Sequence, residues 1–323
     1  MRIDMKKILL IILICKIGYS QTIQELDTRL KRVEDSLGIN TEIVIDTTLS
    51  KPVYEGIILS SVNADILPIP YSPIQYNNGA YKLFVQKNNV CYILSSANGL
   101  NGWSYSLPLP IPYGTAMFTN ENKINVAFHK WYSGKSYYYF SVSPDQRNFY
   151  DVSFIRDPHG EDITYIFDGV YKAYARMEVP PAVRTIGYME SNDFRTWSNL
   201  VEVLKPDVSD GVNQFYSMSV VKTERGYFGL LNVFNPVTDL VSVQLVFSLN
   251  GKDNWQRLNN RNEFLEKKNG VKCLYGIGSI INSELQIVTI SSKFSHSETD
   301  RNGRYYFTEK YKISLTELYK YID

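Results

Sequence analysis

A turn of one chemical type occurs four times in the chain at nearly regular spacing. Each copy begins with a serine, continues through Asn or Asp and ends in an aromatic residue. The copies span 96–103, 143–149, 191–197 and 248–255, so their serines lie 47, 48 and 57 residues apart. A repeat of this length, filled with short β-branched and aromatic runs, holds about four strands and is typical of a β-propeller. The turn itself is predicted to be architectural, since an Asx hairpin above an aromatic ring is ordinary turn chemistry.

Alignment on this turn divides the chain into five units, which begin near residues 72, 114, 162, 215 and 274. The fifth unit lacks the turn, and residues 52–60 form an apolar strand without a partner nearby in sequence. We expect this strand to complete the fifth unit, because pairing across the termini removes the open edges of the sheets. The predicted fold class is therefore all-β, a five-bladed β-propeller over residues 52–323 that is closed by an N-terminal strand.

The segment before the propeller has two predicted parts and a linker. Residues 1–20 have the features of a secretory signal peptide, with two lysines before an apolar run that is too short to span a membrane. Residues 21–38 form a short amphipathic, coiled-coil-like helix, and residues 39–51 form a linker. The helix serves either to form a homo-oligomer or to dock on its own domain. The predicted location is secreted or periplasmic.

Composition excludes several kinds of partner and cofactor. The net charge of +1, with 21% charged residues, does not favour binding to nucleic acid. The three histidines are scattered without zinc-type spacing, so no metal cofactor is predicted, although carbonyl and Asp oxygens in a central channel could hold calcium. After removal of the leader, Cys91 and Cys273 remain, either as buried thiols or as a disulfide.

The most specific sequence signal lies in residues 156–255. The segments 171–176 (YKAYAR) and 184–197 (RTIGYMESNDFRTW) give a strand that ends in Arg, a loop, and a strand that leads into the repeated turn. This pattern resembles the five-bladed propeller glycosidases of the arabinanase, invertase and levansucrase types, which include glycoside hydrolase families 32 and 43. The tripeptide Arg-Asp-Pro at 156–158 also matches the invertase type. The resemblance implies carbohydrate as the partner and a pocket at the centre of the propeller as the site.

The chemistry of that superfamily implies carboxylates from three blades, acting as nucleophile or base, as acid, and as a group that orients the sugar. We expect them in loops that lead into inner strands or that join second and third strands. The predicted catalytic residues are Asp162, Glu161 and Asp210. Predicted substrate-binding residues come from the same loops and are Arg176, Glu178, Arg184, His159, Asp157, His129, Trp131, Gln214 and Tyr216.

Two hypotheses about function stay open at this point. The first two predicted inner strands have no carboxylate at their start. Either the blade 3 and blade 4 loops supply the carboxylates of a glycoside hydrolase-like enzyme, or the propeller binds carbohydrate or protein without catalysis.

Overall fold

A computed structural model describes residues 49–60, 69–70, 72–87, 90–109, 114–119, 123–132, 135–157, 162–179, 183–301 and 306–323. The predicted signal peptide, the predicted helix at 21–38 and most of the predicted linker lie outside these residues. No helix within the described ranges is long and apolar enough to cross a membrane.

Short antiparallel strands joined by tight turns make up most of the described chain. Asn78-Gly79 and Asp168-Gly169 are two of these turns, and both glycines have positive φ, which Gly adopts without the strain that a Cβ causes. The strands are β1 (Val53–Ser60), β2 (Ile69–Pro70), β3 (Gln75–Asn77), β4 (Ala80–Lys87), β5 (Val90–Ser96), β6 (Ser104–Leu109), β7 (Thr115–Phe118), β8 (Ile124–Tyr132), β9 (Lys135–Ser143), β10 (Tyr150–Asp157), β11 (Ile163–Phe167), β12 (Tyr171–Val179), β13 (Val183–Ser191), β14 (Val201–Leu204), β15 (Gln214–Thr223), β16 (Gly226–Asn235), β17 (Leu240–Ser248), β18 (Gln256–Arg257), β19 (Cys273–Ile281), β20 (Glu284–Ser292) and β21 (Tyr306–Ser314).

Helical structure among the described residues is limited to short pieces. These are α1 (His296–Arg301), α2 (Leu315–Tyr319) and the 3-10 helices Val208–Asp210 and Asn259–Arg261. The helix α2 directly follows the strand β21. Its N-cap is Ser314, whose Oγ accepts a hydrogen bond of 3.2 Å from the Glu317 N–H.

The strands pair in groups that follow chain order. The first group is β2 to β6, the second β7 to β10 and the third β11 to β14, and each forms a separate sheet. The fourth group, β15 to β18, and the fifth, β19 to β21 with β1, belong to one eight-stranded sheet. A single parallel pairing of Val241 with Cys273 joins these two groups. In the fifth group β1 pairs antiparallel with β21, so the N-terminal strand supplies its outer edge.

Apolar clusters hold neighbouring groups together. Leu83 of the first group, for example, lies in one cluster with Ile277 and Val288 of the fifth. Four further clusters join the first group to the second, the second to the third, the third to the fourth and the fourth to the fifth. Each group therefore buries its faces against the group before it and the group after it.

Hydrogen bonds between successive inner strands form a polar belt that joins one inner strand to the next. In each of the first four groups, one side chain of the inner strand bonds to the backbone of the next inner strand. The bonds are Gln75 Nε2 to Ala116 O (3.0 Å), Thr115 Oγ1 to Ile163 O (2.7 Å), Thr164 Oγ1 to Met218 O (2.6 Å) and Gly278 N to Ser219 Oγ (3.1 Å). The belt fixes the inner strands relative to one another and so positions the side chains at their ends.

The four repeated turns have the architecture that their sequence predicts. In each one, the Asn or Asp two residues after the serine accepts two backbone N–H bonds; in the third copy, Asp193 Oδ1 accepts from Arg195 at 2.8 Å and Thr196 at 2.7 Å. The aromatic residue then packs on the preceding group, as Trp197 does by stacking on Phe140 with ring centroids 4.2 Å apart. These turns therefore lock each strand group and brace it against its neighbour.

Stability below pH 4 is expected to depend on two of these turns. Backbone N–H groups within the turns lower the pKa of Asp145 and of Asp193 to about 2. Because the folded pKa lies below the unfolded value, this stabilisation is present above about pH 4 and is lost as the pH falls through 2. Replacement of both residues by Asn, which occupies the first and fourth turns, should flatten the dependence of unfolding free energy on pH between 4 and 2. Urea titrations at several pH values measure that slope, and an unchanged slope would contradict the assignment.

Candidate functional site

Asp162 and Arg176 form an ion pair at the start of the third inner strand. The β11–β12 register pairs Ile163 with Ala175, so it sets the two residues side by side. Arg176 N donates to Asp162 O at 2.9 Å, and Arg176 Nη1 lies 3.4 Å from Asp162 Oδ2. The guanidinium is only 6% exposed, whereas the carboxylate is 34% exposed. A buried cation thus holds an accessible carboxylate, which can contact a ligand from solvent.

A second guanidinium lies on the same face of the sheet. Arg184 donates to Gln214 Oε1 at 2.7 Å, and its Cζ lies 5.1 Å from the ring centroid of Tyr216. Arg176 Cζ lies 4.9 Å from that same centroid. The Tyr216 ring therefore interacts with both cations, and its π-face stabilises their positive charge. Of the predicted site residues, Asp162, Arg176, Arg184, Gln214 and Tyr216 are brought together.

Two residues outside the predicted set of site residues, Tyr275 and His296, extend this cluster. The hydroxyl of Tyr216 lies 2.8 Å from His296 Nε2, and that of Tyr275 lies 3.1 Å from His296 Nδ1. Burial raises the pKa of the Tyr275 hydroxyl well above its usual value, so this group keeps its proton. One sequence signal could have identified it, because Tyr275 is the third residue of its inner strand, as Tyr216 is of β15.

The carboxylate of Asp210, a predicted catalytic residue, is bound by two arginines and a backbone N–H group. Its Oδ1 lies 2.9 Å from Arg257 Nη1 and its Oδ2 lies 3.3 Å from Arg261 Nη1. Oδ2 also accepts the Asp207 N–H at 2.9 Å, which completes a capping box on the 3-10 helix. The side chain is 2% exposed, so these partners occupy the carboxylate.

Several residues that were predicted to lie in loops lie in strands instead, so this part of the prediction was wrong. His129 and Trp131 belong to β8, Asp157 ends β10, and Arg176, Glu178 and Arg184 belong to β12 and β13. Their polarity predicts loops, but the cross-strand pairing of each hairpin continues through these residues. The ring of the buried His129 lies 6.2 Å from that of Tyr138 between centroids, with an interplanar angle of 65°. Glu178 is half-buried, and its backbone lies opposite that of Arg184 in the β12–β13 register. Glu161 and His159 lie outside the described residues.

A cavity extends along the inner strands to their final residues. Its volume is about 760 Å³, and all five inner strands contribute to its lining. None of the predicted site residues that the structure describes lines it. The Asp162 cluster and this cavity are therefore two separate features of the same strands.

The described residues contain no group of three His, Cys, Asp or Glu side chains that could hold a metal ion. Cys91 and Cys273 are both buried free thiols, so the disulfide alternative is wrong. Burial raises the pKa of Cys91 to about 12 and that of Cys273 to about 11, which leaves both thiols protonated and unreactive near neutral pH.

The fold is similar to those of several solved carbohydrate-active enzymes. A thermostable family-43 glycoside hydrolase shares 16% identity over 82% of this chain and 91% of that chain, with a TM-score of 0.60. The β-1,2-mannobiose phosphorylase of Listeria innocua shares 11% identity over 84% and 99% of the two chains, with a TM-score of 0.63. The α-L-arabinanase of Penicillium chrysogenum shares 12% over 83% and 99%, with a TM-score of 0.53. No protein-family model matches the sequence. A search of curated proteins found no relative.

These similarities confirm the resemblance to five-bladed propeller glycoside hydrolases and the all-β, propeller class of the fold. At identities this low the likeness establishes the fold alone, because one fold supports many functions. Any statement about activity must therefore come from the site.

Proposed function

We propose that this protein is a secreted, glycoside hydrolase-like protein that acts on a poly- or oligosaccharide through carboxylates in the central pocket. The observation that carries the proposal is the position of Asp162. It is an accessible carboxylate at the start of an inner strand, held by a buried arginine, in a fold shared with glycoside hydrolases. We also infer that the five strand groups are blades of one propeller that β1 closes.

In the proposed mechanism Asp162 is the nucleophile or base, and Glu161 or Glu178 is the proton donor. Glu178 suits this role because it lies two residues beyond Arg176 on the same face of β12, about 7 Å along the strand. Glycosidases place two carboxyl groups about 5–10 Å apart. Asp210 is left out of this mechanism, since two arginines occupy its carboxylate.

The remaining polar groups of the site support recognition of sugar hydroxyls. Arg184, Gln214, Tyr216 and His296 provide fixed donors and acceptors next to Asp162, and aromatic rings hold them in place. Asp157, His129, Trp131 and His159 stay predictions as further binding residues.

A non-catalytic carbohydrate-binding or protein-interaction propeller is the second candidate function. It is favoured by the ion pairs that occupy the Asp210 carboxylate. Of the three predicted catalytic residues, Asp162 is then the one described carboxylate that a ligand can reach. Under this reading, the arginines and tyrosines would bind a glycan that the protein does not cleave.

Replacement of Asp162 by Asn distinguishes the catalytic function from the non-catalytic one. If Asp162 is catalytic, release of reducing sugar from a panel of plant, algal and microbial polysaccharides should fall about 100-fold or more, while binding of the same glycan persists. Glu263→Gln, which removes an exposed partner of Lys267, is the control and should leave the rate unchanged. Glycan binding without hydrolysis by the natural chain would favour the second candidate, and neither binding nor hydrolysis would contradict both carbohydrate proposals.

A further inference from the structure

The cavity of about 760 Å³ extends along the inner strands to their final residues. Its lining includes Asn77, Phe167, Lys222 and Asn282, which are at or near the final residues of four inner strands. Asp162 precedes β11 and Phe167 ends it, so a strand rise of about 3.3 Å per residue separates the two by roughly 16 Å. Asp162 itself does not line the cavity, and the Phe167 end of the cavity is the end far from the proposed active site.

One uncompensated positive charge lies at this cavity. Lys222 is the one charged residue among the described residues that line it, and the same part of the chain contains no ion-pair partner for it. Its Nζ lies 4.2 Å from the ring centroid of Tyr227. Lys172 lies over the same ring at 4.4 Å, but Asp168 neutralises it at 2.9 Å and also accepts a hydrogen bond from the Tyr227 hydroxyl. The sum of these charges is +1, which favours a ligand with one negative charge.

The other lining groups are suited to a sugar ring. Tyr76 and Phe167 are 56% and 55% exposed, and each offers an aromatic surface to an apolar ring face. Asn77 and Asn282 supply amides for hydroxyl groups, and the buried Oγ of Ser279 has no hydrogen-bond partner among the described residues. A buried hydroxyl without a partner is costly, and a ligand hydroxyl would satisfy it. Aromatic surfaces with a few placed polar groups are the usual composition of a small-ligand site.

We propose that this cavity is a second binding site, separate from the Asp162 cluster, for a saccharide that carries a carboxylate. The sugar ring stacks on Phe167 or Tyr76, its hydroxyls bond to the asparagines and Ser279, and its carboxylate binds Lys222. A uronic acid is the chemical class that combines these groups.

Calorimetric titration of the full chain tests this site with three acidic probes, namely oligomers of galacturonate, mannuronate and a glucuronate-containing disaccharide. The methyl ester of each oligomer is the matched neutral probe. We expect at least one acid form to bind about ten-fold more tightly than its ester, the difference that one charge-assisted hydrogen bond provides. Failure of all three acids to bind at millimolar concentration, or equal binding of acid and ester, would overturn the proposal.

Variants then assign the contacts. Lys222→Gln should reduce the affinity for the acid to that of the ester, whereas Phe167→Ala should weaken both forms. Lys252→Gln is the control, because Lys252 also lies over a tyrosine ring, at 5.8 Å, but does not line the cavity. Asp162→Asn should leave this binding unchanged, which keeps the result independent of the proposed active site. Loss of binding in Asp162→Asn together with unchanged binding in Lys222→Gln would mean that the ligand lies at the Asp162 cluster and that the inference is wrong.

Discussion

Asp210→Asn is expected to lower the free energy of unfolding by about 3 kcal/mol. The substitution keeps the size of the side chain but removes its charge, which leaves the guanidinium of Arg257 without its closest carboxylate. Arg257 is 7% exposed, lies 4.8 Å from the ring of Phe215 and otherwise bonds to the neutral Gln244. A buried cation that loses its partner cannot recover this energy from solvent. Urea unfolding at pH 7 measures the difference.

The matched control for this prediction is an exposed ion pair. Glu202→Gln removes the partner of Lys205 at 3.5 Å on the surface, and we expect a change of about 0–1 kcal/mol. Combining Asp210→Leu with Arg257→Met should restore much of the lost stability, because a buried ion pair can be replaced by apolar groups of similar volume. If Asp210 were catalytic instead, Asp210→Asn would abolish hydrolysis without a loss of stability, and that result would contradict our assignment.

Sequence patterns predicted the strand groups well because the signals for turns and strands are local. The apolar strand predicted at residues 52–60, for example, is observed as Val53–Ser60. Turn residues such as Asn78-Gly79 fix where such a strand begins. Some strands are longer than their polar residues predict. His129, for example, was assigned to a loop but pairs with Tyr138 between β8 and β9. A polar residue is compatible with a strand because alternate side chains point to opposite faces, and polarity alone does not mark the end.

Of the contacts in the candidate site, only those within a single hairpin could be predicted from the sequence. Asp162 and Arg176 meet through the register of β11 and β12, which a strand map contains. The contact of Arg184 with Tyr216 depends on packing between two groups, and His296 lies 80 residues from the Tyr216 hydroxyl that it contacts. The ion pairs of Asp210 were equally invisible in the sequence, because its partners are 47 and 51 residues further along the chain. A carboxylate in a loop looks available until those distant cations are known.

Glu55 illustrates the same dependence on distant partners, and its replacement by Gln is expected to lower the free energy of unfolding by about 3 kcal/mol. Glu55 lies between two paired residues of β1, where a bulge with Gly56 at positive φ shifts the register against β21. It contacts the ammonium groups of Lys310 at 3.2 Å and Lys312 at 3.1 Å. Lys310 is only 4% exposed, so loss of the carboxylate leaves a buried, uncompensated charge. Thermal and urea unfolding measure the effect.

The control for Glu55 comes from the same charge cluster. Glu284→Gln removes another partner of Lys312, at 3.7 Å, but both of those side chains are about one-third exposed, so we expect about 0–1 kcal/mol. Combining Glu55→Gln with Lys310→Met should recover most of the loss. Because β1 is the strand that crosses from the N-terminal side to β21, the Glu55 variant should also expose residues 53–60 to protease before the rest of the chain unfolds. Equal stability of the Glu55 and Glu284 variants would mean that backbone pairing and apolar packing alone hold this strand.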